Sequence, residues 1–107
     1  MIFETKTFQI IKDHARSAAE LSEISGRPNK TYYFNRLIVD QKLRGTGISV
    51  KLMKQVVEWA DQEKIEILLE INPYGNLDYL QLAQFYERFG FEWEDKENNM
   101  MIRRVKE

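Results

Sequence analysis

Between residues 32 and 62 the hydrophobic period of the chain changes from two to about 3.6 across one short basic turn. Tyr32-Tyr33-Phe34-Asn35-Arg36-Leu37-Ile38-Val39 is rich in aromatic and β-branched residues, as strands are. Ile48, Leu52, Met53, Val56, Val57 and Ala60 then trace one face of an α-helix, assigned to residues 48–62. The join, Gln41-Lys42-Leu43-Arg44-Gly45-Thr46-Gly47-Ile48-Ser49, carries two glycines and two cations. Unpaired N–H groups and the positive end of the helix dipole make such a strand-to-helix junction a natural phosphate site.

The remaining segments extend this unit on both sides. Phe8–Ile11 reads as part of a first strand that ends at Lys12-Asp13-His14. In Ala15–Ile24 two signals conflict: alanine, leucine and glutamate favour helix, while Ala19 and Leu21 alternate with Glu20 and Ser22. The turn Ser25-Gly26-Arg27-Pro28-Asn29 follows at once, so strand is the assignment, paired as a hairpin with Thr31–Val39. In Ile65–Ile71 every odd-numbered position is apolar, the period-two mark of a strand. Asn72–Asn76 reads as a loop. Asp78, with Gln81 three residues on, forms a capping-box pattern for a second helix over 78–89, which bears Leu82, Ala83, Tyr86 and Phe89 and stops at Gly90. Phe91–Glu94 and Met100–Val105 complete a hairpin around Asp95–Asn99. The order β, β, β, α, β, α, β, β implies an α+β domain spanning residues 1–107, with a mixed sheet and helices over it.

Composition narrows the function. A net charge of −1 supplies no sustained basic surface for nucleic acid. The absence of cysteine excludes a disulfide framework, a zinc–thiolate cluster and a thiol nucleophile. No stretch is long and apolar enough to span a bilayer or to serve as a signal peptide, so a cytoplasmic protein with no membrane partner is expected. The turn is not a P-loop, lacking Gly-Lys-Ser or Gly-Lys-Thr. It is not a dinucleotide fingerprint either, lacking the third glycine.

Arg44-Gly45-Thr46-Gly47-Ile48-Ser49, followed by Leu52-Met53, resembles the acyl-CoA turn of the GNAT N-acetyltransferase superfamily. Leu82-Ala83-Gln84-Phe85-Tyr86-Glu87-Arg88-Phe89-Gly90-Phe91 resembles that family's second signature, a helix ending Tyr-x-x-x-Gly-Phe. The resemblance implies a GNAT-like acyltransferase fold and acetyl-CoA as co-substrate. It also implies transfer of an acetyl group to a primary amine by direct attack in a ternary complex, with no metal. On that reading the cofactor-binding residues are Leu37, Ile38, Val39, Arg44, Gly45, Thr46, Gly47, Ile48 and Ser49, with Lys42 offsetting phosphate charge. Val39 supplies an N–H to the thioester carbonyl.

Tyr86 stands where the family places the acid that protonates the departing thiolate. With a tyrosine pKa near 10 against about 8.5 for a thiol, it acts by position rather than by acidity. Some members carry a glutamate where this chain has Tyr33, so Glu70 on the neighbouring strand is the substitute base. The competing reading makes Tyr86 a packing aromatic, and Glu66 and Glu70 a solvated strand face. Asp40 is expected to shape the turn, and His14 lies before the site in the chain. Further departures are Ser49 in place of glycine or alanine, and Tyr79 in place of an asparagine. The segment before Tyr32 is also too short for the two helices that larger members place there. An open acceptor side would suit a peptide or protein amine, or a pocket completed by a partner, and a homodimer is one open option. The alternative function is a non-catalytic acyl-CoA-binding or protein-interaction module on the same fold.

Overall fold

The computed structural model describes residues 4–72 and 78–105. Six strands, β1 (Thr5–Lys12), β2 (Ala15–Ile24), β3 (Thr31–Ile38), β4 (Glu66–Glu70), β5 (Glu92–Asp95) and β6 (Met100–Arg103), form one sheet in the order β1-β2-β3-β4-β6-β5. Helix α1 spans Ile48–Glu63 and α2 spans Tyr79–Glu87. β3 and β4 are parallel and every other neighbouring pair is antiparallel, which gives the mixed sheet expected. Ala15–Ile24 is a strand despite its helix-forming composition. It lies between β1 and β3, so ladder bonds on both sides outweigh intrinsic propensity. The predicted loop at Asn72–Asn76 lies, apart from Asn72, outside the described residues.

Both crossovers, β3–α1–β4 and β4–α2–β5, step across the sheet in the same direction. Right-handed connections therefore place the two helices on the same face. The core agrees: Met53, Val56 and Ala60 of α1 and Leu82 and Ala83 of α2 share one buried cluster with Leu21, Tyr32, Phe34, Ile67, Leu69 and Met101. The opposite face of the sheet carries no helix among the described residues. The first described residues form the β1–β2 hairpin, closed by Asp13 and His14 with φ of 52° and 63°. Positive φ at both central residues gives the twist of a tight hairpin turn.

Most element ends differ from expectation by a residue or two, and three of the differences are the ends of the last elements. The second helix gives way after Glu87 to a turn at Arg88–Gly90, β5 runs to Asp95, and β6 stops at Arg103. β4 lies between β3 and β6, and the face that bears Glu66 and Glu70 is solvated at Glu70 but not at Glu66. Its Glu66 is only 7% exposed and accepts a hydrogen bond from Asn29 Nδ2.

One ion pair ties distant parts of the chain together. Arg103 is 2% exposed and sends Nη1 and Nη2 to the Asp61 carboxylate of α1, at 2.7 and 3.2 Å. Its Nε donates to the carbonyl of Phe89 at 2.7 Å. Removing a buried partner strands the groups left behind. Arg103→Ala should cost about 3 kcal/mol in urea unfolding, whereas Arg104→Ala, in the exposed pair with Glu92, should leave the midpoint unchanged. Equal midpoints for the two variants would contradict this account.

Candidate active site

The ladder between β3 and β4 runs for only three residue pairs, Thr31–Tyr33 against Glu66–Leu68. Beyond them β3 stays paired with β2 as far as Ile38, and β4 with β6 as far as Glu70. A cavity of about 530 Å³ opens in the gap, lined by Phe34–Val39 and Arg44, by Leu69–Asn72, and by Leu82 and Tyr86 of α2. Leu37, Ile38, Val39, Arg44, Glu70 and Tyr86 are thus brought to one wall system. Residues 45–49 form the adjoining turn and the first residues of α1.

That turn is anchored from beneath by apolar burial. Leu43, Ile48 and Leu52 pack with Ala15, Leu37 and Val39. Asp40 caps a single 3-10 turn at Gln41–Leu43, accepting the Lys42 N–H at 2.9 Å, which is the turn-shaping role expected of it. Gly45 and Gly47 have φ of 80° and 81°, left-handed values that favour glycine. No atom lies within 4 Å of where a Cβ would stand at either one, so the backbone there is open to a close ligand. Gly47 is the N-cap of α1, and no side chain caps that end, leaving the N–H groups of Ile48, Ser49 and Val50 directed outward. Thr46 differs from expectation: its N–H and hydroxyl both turn back to the carbonyl of Leu43. Ser49 sits half-buried in the first helical turn, where its backbone is ordinary helix.

On the other wall, α2 starts with the capping box read from the sequence, Asp78 and Gln81 exchanging bonds of 2.8 and 3.0 Å. It ends in a Schellman closure, with the Phe91 N–H reaching the Tyr86 carbonyl and the Gly90 N–H reaching that of Glu87. Gly90 has φ of 93°, and a Cβ there would meet Arg103 Nε at 3.2 Å. The Tyr86 ring packs edge-on against Phe34, Phe85 and Phe91 at centroid distances of 6.1, 5.2 and 5.7 Å. Tyr86 is therefore both a packing aromatic and a cavity residue.

Glu70 is exposed on the cavity rim and accepts from Asn72 Nδ2 at 3.3 Å. Tyr33 lies across the parallel ladder, opposite Leu68, and its phenol is held above its ordinary pKa by burial and then by the charge of Glu70. Glu66 is not on the cavity wall, and His14 lies exposed in the β1–β2 turn. Asn35, Arg36 and Asn72 also line the cavity, and Asn35 and Asn72 were not anticipated. Asn35 and Tyr33 alternate with Tyr32 and Phe34 along β3, so the strand period sets Asn35 off the core face without placing it at a cavity. Among the described residues no group of acidic, histidine or cysteine side chains could hold a metal ion, and no helix is long and apolar enough to cross a membrane.

The model of the acetyltransferase (GNAT) domain matches residues 8–93. The chain belongs to the GNAT acetyltransferase family. Acyl transfer is the activity class of that family. No curated protein sequence matches the chain. Among solved structures, the fold is similar to the anti-CRISPR protein AcrVA5, at TM-score 0.65 and 19% identity over 90% of this chain and 96% of that one. It is similar to an aminoglycoside 6'-acetyltransferase type Ii at TM-score 0.68 and 15% identity, covering 97% and 71% of the two chains. It also resembles a putative acetyl transferase from Pyrococcus furiosus at TM-score 0.67 and 20% identity, over 86% of this chain and 62% of that chain's length. These likenesses are of fold.

The glycines of the GNAT turn give a simple check. Space is open around Gly47, so Gly47→Ala should cost only the conformational penalty, about 1–2 kcal/mol of unfolding free energy. A variant as stable as the parent would show that the left-handed conformation is not required.

Proposed function

We propose that the protein transfers an acetyl group from acetyl-CoA to a primary amine within a ternary complex. The observation that carries this reading is the parting of β3 from β4 beside an uncapped α1 N-terminus, with Arg44 on the cavity wall. The residues fit the co-substrate's chemistry. Outward N–H groups of Ile48–Val50 and the Arg44 guanidinium suit a pyrophosphate, and the open backbone at Gly45 and Gly47 permits close approach. The inner edges of the parted strands suit the amides of a pantetheine arm, bound as an added strand would be.

The residues divide the chemistry among them. The Val39 N–H polarises the thioester carbonyl as charge develops on its oxygen. Glu70, directly or through a water, takes a proton from the acceptor ammonium, freeing the lone pair that attacks the carbonyl carbon. As the new C–N bond forms and the C–S bond breaks, Tyr86 gives its phenolic proton to the departing thiolate sulfur, and the second proton that the nitrogen sheds in becoming an amide returns to the phenolate through solvent. The walls of Phe34, Leu37, Leu69 and Leu82 keep water from the thioester.

Millimolar acetyl-CoA should raise the melting temperature. If it did not, this function would be excluded. Arg44→Ala should weaken acetyl-CoA binding about tenfold or more. Tyr86→Phe should lower kcat at least about tenfold with acetyl-CoA affinity unchanged. Equal turnover would remove Tyr86 as the acid. Tyr33 in place of a carboxylate favours a second reading, an acyl-CoA-binding module without turnover. Binding of acetyl-CoA with no CoA release across a broad amine panel would select that one.

A further inference from the structure

We propose that Tyr33 and Glu70 form the seat of the acceptor ammonium on the bare face of the sheet, and that the acceptor is a lysine side chain on an exposed peptide segment. This rests on the acyl-transfer reading above and adds the substrate class and two residues that select it.

The placement follows from the strand period. Ile67, Leu69 and Ile71 of β4 face the helices in the core, so Glu66, Leu68 and Glu70 stand on the opposite face. On β3, Tyr32 and Phe34 belong to the core, and Tyr33 stands on the same outer face as Glu70. The parallel register sets Tyr33 opposite Leu68, with Glu70 two residues further toward the cavity rim. An aromatic ring beside a carboxylate is a recognised way to hold an ammonium, combining cation–π attraction with a charged hydrogen bond. Because the Tyr33 phenol is held in its neutral form by burial and by Glu70, it adds no competing charge of its own.

The surroundings favour a cation at this point. Arg36, also on the cavity wall, faces Glu20 at 3.9 Å, and Asn35 Nδ2 donates to Ser22 Oγ at 2.7 Å. Further along the same face Arg104 is met by Glu92 and Arg27 by Glu94. Glu70 has an uncharged neighbour, Asn72, as its hydrogen-bond donor. Its charge is therefore available at the rim, while the cavity's other cation, Arg44, stands on the phosphate turn.

The bare face also bears on the size of the acceptor. With both helices on one side, no described element crosses the sheet above Tyr33 and Glu70 to enclose a small amine. A lysine reaches such a shallow seat on its own four-carbon stem, and the peptide that carries it supplies the remaining contacts to the strand side chains.

The test is steady-state kinetics of the whole chain with acetyl-CoA against three acceptor sets: lysine-containing peptides, linear polyamines and aminoglycosides. Free CoA and acetylated product are read, with Tyr33→Ala, Tyr33→Phe and Glu70→Gln beside the parent. Each variant is first shown to keep the acetyl-CoA melting shift, which reports folding and an intact donor site. The expected result is turnover of lysine peptides, a KM about tenfold higher for Tyr33→Ala and Glu70→Gln, a kcat lowered as well in Glu70→Gln because the base is lost, and a KM close to the parent's for Tyr33→Phe, which keeps the ring. Peptide turnover with KM unchanged in Tyr33→Ala would overturn the seat. Turnover of polyamines or aminoglycosides but of no peptide would overturn the substrate class and leave acyl transfer standing. An acetyl-CoA shift without turnover of any acceptor would overturn both this proposal and the catalytic reading, and the lack of a shift would overturn acetyl-CoA binding itself.

Discussion

Two parallel strands at the centre of a sheet ordinarily stay bonded along their shared length, because each unmade ladder bond leaves a donor and an acceptor to be met otherwise. β3 and β4 instead separate after Tyr33 and Leu68, while each remains bonded to its outer neighbour. The sheet behaves as two antiparallel blocks, β1-β2-β3 and β4-β6-β5, joined at one end. What holds the wedge open is packing from one side. Phe34 on the first block and Leu69 on the second both pack into the cluster formed with α1 and α2, and the Tyr86 ring abuts Phe34. The cavity is therefore a consequence of how the two helices seat on the sheet.

The second motif has a local physical content of its own. In Tyr86-Glu87-Arg88-Phe89-Gly90-Phe91 the tyrosine supplies the carbonyl that closes the helix, the glycine takes the left-handed position, and the phenylalanine that follows packs its ring on the tyrosine. The spacing is that of a Schellman cap, and the cap fixes the backbone of the residue proposed as the acid. Arg103 then clamps the same corner. Its guanidinium holds the Phe89 carbonyl and Asp61 together, and it lies where a side chain on Gly90 would have to go. The position of Tyr86 thus depends on a helix cap made locally and on an ion pair made across 42 residues of chain.

Local and periodic features were legible in the sequence. They include the alternation in β4, the amphipathic face of α1, the capping box of α2, and the glycines of the turn, each determined by neighbours within a few residues. The β2 strand was legible only by setting the turn after it against its own propensity. What could not be read were pairings set by topology. The burial of Glu66 depends on Asn29, brought alongside by the parallel register, and the burial of Arg103 depends on Asp61, a helix residue that reads as solvent-facing. Asn35 joins the cavity because β3 and β4 part, and a parting of strands leaves no mark in hydrophobic period. The engagement of Thr46 with Leu43 was hidden for a related reason, since a threonine in a turn can serve a ligand or its own backbone.

A sheet with helices on one face alone must still exclude water from the other. Here Leu68 and Ile102, opposite one another on β4 and β6, are 6% and 0% exposed although no described helix covers them. Glu92 stands in register beside Ile102 and is bridged to Arg104, and Glu66 is tied to Asn29. Long polar side chains can lay their aliphatic stems along apolar surface while their polar ends stay paired, and these pairs stand where such a cover is needed. Such a cover is thin and polar, and it ends where the strands part, at Tyr33 and Glu70. The economy that stabilises the described sheet on this face is thus the same one that leaves the proposed acceptor side of the cavity open among the described residues. Adding an enclosing element there would stabilise the bare face and restrict the site together.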